Sequence, residues 1–337
     1  MSRPKIGLAL SGASGRAIAH AGVLDVFEEQ GIPVDYIAAC SSGAIIAAAY
    51  SCGTLRQLKA TLFGGFNRME LLGLFEAAET TGGLFSLNKV EERMKSFTHG
   101  LRFEEVRPHL AMVCVDIATA EQVVISMGDI AKGIVASCSV PFIFEPARWG
   151  NRQLVDGGLL NLVPADVVRD MGADIVISVE IAAAKYILSN TEIRLLQTLV
   201  IILQSIGLPY RYAKKFIQFI KSKLKIGDFV QIYSQSDFLP GSGHDESMVS
   251  VITKVLEVRF KAFGLKNDYK IYSDIILTPK VKHFGRTEFN TLRRAYVEGR
   301  QSAQSAIPQI LKLIEQYEVN ASAAAKSKNQ LLTESLK

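Results

Sequence analysis

Residues 34–53 read VDYIAACSSGAIIAAAYSCG, and the rest of the chain arranges itself around them. An apolar run, Val34 to Ala39, meets two adjacent serines and a glycine and then an alanine-rich, helix-forming stretch. A strand that turns sharply into a helix at a serine is a nucleophile elbow, in which the turn lifts Oγ clear of the sheet and small flanking residues let strand and helix pack closely. The G-x-S-x-G pattern fits here in two registers. With Ser41 as nucleophile the flanking small positions are Ala39 and Gly43; with Ser42 they are Cys40 and Ala44, which bring more atoms into a tight turn. Ser41 is the better placed. Ala44, Ala47, Ala48 and Cys52 share roughly one face of the following helix, so its backbone can approach its neighbours closely.

Upstream, a strand from Lys5 to Leu10 runs into SGASGRAIAHAGVLDVFEEQG, a small-residue loop and a helix, with Gly31 as its C-terminal cap. Gly12, Ala13, Ser14 and Gly15 leave backbone N–H groups open at a helix N-terminus, where negative charge is favoured. Those four positions are the candidate oxyanion donors, and Arg16 is a candidate partner for an anionic substrate group. The glycine spacing fits neither the dinucleotide nor the phosphate-loop fingerprint.

Downstream, Ala111–Ile117 and Gln122–Ser126 read as strands, and 129–139 as a small-residue helix ending near Pro141. Leu154 and Val155 lead to Asp156-Gly157-Gly158, a strand end followed by a tight turn. A helix over 164–171 and a strand over 174–180 follow. This alternation predicts a mainly parallel sheet covered by helices. Residues 54–110 read as helical and loop-like, with TTGG at 80–83 as an edge over a cleft. Residues 185–266 interrupt the rhythm as a helical insertion. Within it, 195–208 is strongly apolar, and 211–225 (RYAKKFIQFIKSKLK) carries six basic residues and no acid among aromatic ones. A strand at 274–278 and a helix at 287–314 return to the main domain, set at 1–319, and 320–337 reads as a tail without a core pattern.

Composition narrows the class. The 337 residues are 48% hydrophobic and 21% charged, with a net charge of +5, which suits a globular chain with a large core and no nucleic-acid partner. Cys40, Cys52, Cys114 and Cys138 lack metal-ligand spacing and read as reduced, buried thiols. With no signal-peptide pattern and no run of about 18–20 apolar residues, the expectation is a cytoplasmic protein with room for membrane-surface attachment.

Asp156 has the placement of a catalytic carboxylate, although an aspartate before glycine also serves as a turn residue bonding its own backbone. Of the five histidines, His20 lies in the first helix and reads as a packing or hydrogen-bonding residue. His99 and His109 carry no motif. His244 and His283 follow Asp156 in the chain, so a Ser…Asp…His order stays open, with nothing local to recommend either.

Taken in order, SGASGRAIAHAGVL, IAACSSGA, VCVDIATAEQVV, IVASCSVPFIFEP and LVDGGLLNLVP resemble the motif series of the patatin-like phospholipase family across residues 5–181. The resemblance implies a three-layer patatin-like α/β fold and a Ser–Asp dyad at Ser41 and Asp156 needing no histidine. It further implies an oxyanion hole at Gly12–Gly15, no cofactor and no metal. It also implies hydrolysis of fatty-acyl esters of phospholipids or related lipids through an acyl-enzyme. An acyltransferase on the same scaffold and a catalytically silent lipid-binding relative are the alternatives. The chain departs from the family's glycines at Ala39, Ala13, Ser14 and Ala17, each of which adds a Cβ and strains any position that needs positive φ. A lipid substrate calls for an interfacial surface, for which 195–225 suits an anionic headgroup layer.

Overall fold

In a computed structural model of the chain, describing residues 3–64, 76–77, 83–181, 268–281 and 291–335, the apolar runs become strands of one large sheet. In chain order the strands are β1 (Ile6–Leu10), β2 (Tyr36–Cys40), β3 (Glu76–Ala77), β4 (Gly83–Ser86), β5 (His109–Asp116), β6 (Glu121–Ile125), β7 (Phe142–Phe144), β8 (Ala147–Trp149), β9 (Arg152–Asp156), β10 (Ile175–Val179) and β11 (Ile275–Leu277). The order β11-β10-β1-β2-β5 is parallel throughout, and β6, β9 and β8 join by antiparallel pairing.

Every residue of β1 and β10 is buried, as continuous apolar runs in a sheet covered on both faces require. Side chains alternate between the faces. Leu8, Leu10, Ile37 and Met112 pack with α1 (Ile18–Glu29), α2 (Ser42–Ser51), α5 (Ile130–Cys138) and α7 (Leu292–Ser335). Ala9, Ala38, Ala111 and Val113 pack on the other face, against Val163 and α6 (Ala165–Asp170). The expected three layers result. Two further helices, α3 (Leu55–Phe63) and α4 (Asn88–Thr98), lie in the stretch read as helical and loop-like.

Several local expectations change. Gly43, Ala44, Ile46, Ala47, Ala48, Ala49 and Ser51 are all buried, so α2 is enclosed on most of its circumference and not on one face alone. A small sheet, β3-β4-β7, contains strands that the sequence did not announce, and Gly83 of the TTGG stretch opens β4. The last helix continues to Ser335, beyond the expected end at 314 and through most of the segment read as a tail. Residues 320–335 contain neither Gly nor Pro and carry four Ala with Lys and Leu, residues of high helix propensity. Cys40 and Cys114 are buried as expected, but Cys52 and Cys138 are only half-buried. Residues 80–82, the insertion at 185–266 with its 195–225 segment, and His244 and His283 lie outside the described residues. Among the described residues no helix is long and apolar enough to cross a membrane.

Candidate active site

The site is built where two strands share one edge of a third. Met112 and Val113 of β5 pair with Ala39 and Cys40 of β2 on one side and with Ile125 and Val124 of β6 on the other. The next three residues, Cys114 to Asp116, keep β6 and take β9 in place of β2. Hence β2 and β9 meet end to end along β5. Cys40 is opposite Val113 and Asp156 is opposite Cys114, on consecutive rungs. The chain leaves the sheet at Ser41, next to the point where Asp156 ends β9.

Ser41 has φ 53° and ψ −133°, a backbone state that L-residues avoid, and it leads directly into α2. Ser42 is the first helical residue, so the elbow is at Ser41. The turn has no spare room. A Cβ on Gly43 would sit 2.7 Å from the Ser11 carbonyl oxygen and 2.8 Å from that of Leu10. A Cβ on Gly12 would sit 2.8 Å from Ser41 Cβ, so the first loop lies directly against the elbow. Ala39 is buried within β2, between Leu10 and Met112, and its extra methyl strains nothing.

The first loop tells the other substitutions apart. Ala13 (φ −160°) and Ala17 (φ −56°, helical) both keep negative φ, outside the left-handed region. Ser14 alone, at φ 53°, holds a left-handed conformation that favours glycine. The Ala13 N–H donates to Ser42 Oγ at 3.0 Å, and the Arg16 N–H to the Ala13 carbonyl at 3.3 Å. Gly15 and the half-buried Arg16 lie in the short 3-10 turn Ser14–Ala17 that enters α1. His20 is fully buried and donates from Nε2 to the Ser11 carbonyl at 2.7 Å; burial pulls its pKa down to about 4, against that bond. It is a neutral packing residue, as its position in the sequence suggests.

Asp156 is buried. Its Oδ1 accepts the Gly158 N–H at 2.8 Å and the Cys40 thiol at 3.7 Å. The turn aspartate and the site aspartate are thus the same residue. Gly157 packs against the Val113 carbonyl with no space for a side chain. Burial raises the Asp156 pKa, opposed by the Ser41 hydroxyl, the Gly158 N–H and the Cys40 thiol. Ser41 is therefore near enough to act on the carboxylate, yet Oδ2 has no partner of full hydrogen-bond geometry. The two side chains are adjacent without a hydrogen bond of full geometry between them.

Three thiols gather around this carboxylate. Cys40, Cys114 and Cys138 are each pushed up in pKa, first by burial and next by the Asp156 charge, so all stay protonated. Among the described residues no group of three His, Cys, Asp or Glu side chains is arranged to hold a metal ion. His109 stacks on Tyr36 at the opposite end of the strands, and His99 caps α4.

Two side chains at the site have no signal in the sequence. Ser42 binds the first loop, as above, and Ser137 of α5 accepts the Ser41 N–H at 2.8 Å. A serine within a small-residue helix has no local mark of such a role.

With this geometry in view, residues 8–169 match the model of the patatin-like phospholipase family. This part of the chain is patatin-like. An uncharacterized NTE family protein of Mycobacterium tuberculosis (strain CDC 1551 / Oshkosh) is 29% identical over 167 residues, 48% of this chain and 28% of its own length. A patatin-like phospholipase domain-containing protein of Caenorhabditis elegans is 32% identical over 53% of this chain and 14% of its own. Lysophospholipase NTE1 of Saccharomyces cerevisiae is 27% identical over 55% of this chain and 11% of its own. The chain spans less than a third of the length of each of these three. Among solved structures, VipD from Legionella pneumophila aligns with 77% of this chain and 67% of its own, at 12% identity and a TM-score of 0.36. The patatin-like match ends within the last turn of α6 and includes both Ser41 and Asp156.

Proposed function

We propose that the chain is a serine acyl hydrolase that cleaves fatty-acyl ester bonds of phospholipids or related lipids through a Ser41–Asp156 dyad. The observation that carries this reading is the meeting of β2 and β9 on β5, which sets a strained elbow serine beside a buried aspartate whose Oδ2 is unpartnered. The patatin-like match and the lysophospholipase relative support the lipid-ester class.

In the proposed reaction Asp156 Oδ2 accepts the Ser41 proton as Oγ attacks the ester carbonyl. Collapse of the tetrahedral adduct expels the alcohol, which takes the proton, and leaves an acyl-Ser41. Water, deprotonated by the same carboxylate, then releases the fatty acid. Gly12–Gly15 backbone N–H groups hold the oxyanion, and a lost donor of this kind costs roughly 10²–10³ in rate. The Ala13 N–H, which donates to Ser42 Oγ at rest, exchanges that partner for the oxyanion. Of the glycine departures only Ser14 has a strained backbone, which favours an active enzyme over a silent relative. The basic and aromatic segment 211–225 supplies the lipid-surface contact in this reading.

The test is incubation with a mixed lipid extract and identification of the released fatty acids, with fluorophosphonate labelling alongside. Release by wild type, and its loss in Ser41→Ala and Asp156→Asn with folding intact, is the expected result. Full activity in either variant overturns the dyad. Acyl transfer to an added alcohol in place of water indicates the acyltransferase, and liposome binding without labelling indicates the silent lipid binder.

A further inference from the structure

The end of α5 reaches both members of the pair. Ser137 is fully buried, and its Oγ accepts the Ser41 N–H at 2.8 Å while donating to the Val113 carbonyl at 2.8 Å. Two residues on, the Ser139 carbonyl accepts the Asp156 N–H at 2.9 Å. Val113 stands opposite Cys40, at the rung where β2 stops. The hydroxyl therefore bridges the gap that opens in the sheet where β2 turns away and β9 has not yet begun.

Such a use of a helical serine is unusual. A serine inside a helix most simply donates to the carbonyl four residues back. Ser139 does so, to Val135 at 2.9 Å. Ser137 instead turns both of its hydrogen-bonding capacities away from its own helix, toward a backbone donor and acceptor of other elements. Those two groups need it: the φ and ψ of Ser41 lie in a sparsely populated region, and such a state persists only where the surroundings over-determine it. A backbone N–H turned inward without a partner would add a further penalty.

We infer that Ser137 is a positioning residue for the nucleophile: it holds the Ser41 backbone in the elbow state while the same helix end holds Asp156, fixing the distance over which the proton moves. This rests on the hydrolase reading above, because it assigns Ser137 a task only if Ser41 is the attacking group. Ser137 touches neither substrate nor the transferred proton. Its loss therefore acts on the presentation of Oγ and leaves lipid binding alone, which separates kcat from KM.

The experiment compares wild type, Ser137→Ala and Ile134→Val on the same helix. Ile134 is fully buried and remote from the dyad in role, so its variant matches a modest loss of stability without disturbing the elbow. Three quantities are read: the second-order rate of fluorophosphonate labelling at Ser41, kcat and KM for a soluble ester, and Tm. Ser137→Ala is expected to lower labelling and kcat by roughly 10–100-fold, as about an ångström of misplacement does, with KM within about twofold. Ile134→Val is expected to label at the wild-type rate. Should Ser137→Ala fail to fold, Ser137→Cys puts a slightly larger thiol there that donates and accepts only weakly, and is expected to show the same fall. Labelling of either Ser137 variant at the wild-type rate, or a loss confined to KM, overturns the inference and leaves the hydrolase reading standing. Wild-type protein that is not labelled at Ser41 overturns the hydrolase reading, and this inference with it.

Discussion

Each end of the sheet has an aspartate beside β2, and the two differ in almost every respect except the largest influence upon them. Burial is the leading effect at both and pushes both pKa values up. Asp35, just before β2, accepts two bonds from the Arg3 guanidinium at 2.6 and 2.9 Å, one from Lys5 at 3.4 Å and the Ile6 N–H at 2.9 Å. Together these overturn the burial effect, and its pKa falls below 3.8. Asp156 has no cation among its pKa influences, only a thiol, one N–H and the Ser41 hydroxyl, and its pKa stays above 3.8. A carboxylate's partners, more than its depth, decide whether it is locked as an ion or left able to take a proton. The first aspartate ties down a strand end; the second is left able to take the proton that the proposed reaction requires of it.

The largest expected effect separates the two directly. Asp156→Asn lowers ester hydrolysis by at least about 10², the low end for removing a general base, whereas Asp35→Asn stays within about threefold of wild type. Initial rates on one ester measure both. Equal losses would erase the distinction. The acid limb of kcat/KM is expected above pH 3.8, because the base must be ionised and its pKa is raised.

Glycines at the two ends sharpen the contrast at the next level. Gly12 is needed for close approach, since its Cβ would press on Ser41 Cβ at 2.8 Å; Gly172 is needed for its φ of +100°, with Tyr36 Oη the nearest atom at 3.7 Å. Gly12→Ala is expected to lower kcat by about 10² and to cost about 1–3 kcal/mol of stability through overpacking against Ser41. Gly172→Ala is expected to keep kcat and cost about 1–2 kcal/mol of stability, read by denaturant unfolding.

Stability against pH gives a smaller effect with opposite signs. The folded pKa of Asp156 is raised, so its contribution is fully present below pH 3.8 and is lost as pH rises through the folded value. Asp156→Asn is therefore more stable than wild type at pH 7, and the gap closes toward pH 3.8. The folded pKa of Asp35 is lowered, so its contribution is present above pH 3.8 and is lost as pH falls through the folded value. Asp35→Asn is less stable at pH 7, by about 1–2 kcal/mol, and its gap also closes in acid. Urea midpoints of the three proteins from pH 3 to pH 8 test the crossing. Two variants moving in the same direction would show that burial alone governs both sites.

Much of the Ser41 end was legible because its chemistry is written locally: strand, serine, glycine and small residues within ten positions. The encounter with Asp156 was implied only by the family resemblance, since it depends on β9 taking up β5 one rung beyond β2, a register set by pairing across 116 positions and by no periodicity. Ser137 escaped notice for a related reason: a buried hydroxyl facing outward from a helix has the same local sequence as one bonded to its own helix. The strands β3 and β4 within 54–110, and β7 at Phe142–Phe144, are too short for alternation to emerge. The end of α7 misled in the other direction, where loss of an apolar pattern accompanied intact helix propensity.

The smallest effect concerns the loop facing the elbow, where two departures from glycine look equivalent in sequence and are not. Ser14 has a left-handed backbone and Ala13 one of negative φ. A non-glycine residue in the left-handed region carries roughly 1–2 kcal/mol of strain. Replacing it by glycine removes that strain but loosens the unfolded chain, which returns about 0.4–1 kcal/mol. Ser14→Gly is thus expected to gain up to about 1.6 kcal/mol. Ala13→Gly has no strain to relieve and is expected to lose about 0.4–1 kcal/mol through the unfolded state alone. Both keep the Ala13 backbone N–H that faces Ser42, so both retain turnover within a few-fold. Tm values from calorimetry should therefore rank Ser14→Gly above wild type and Ala13→Gly below it. The reverse order would place the strained position at 13 and require a different path for the loop over Ser41.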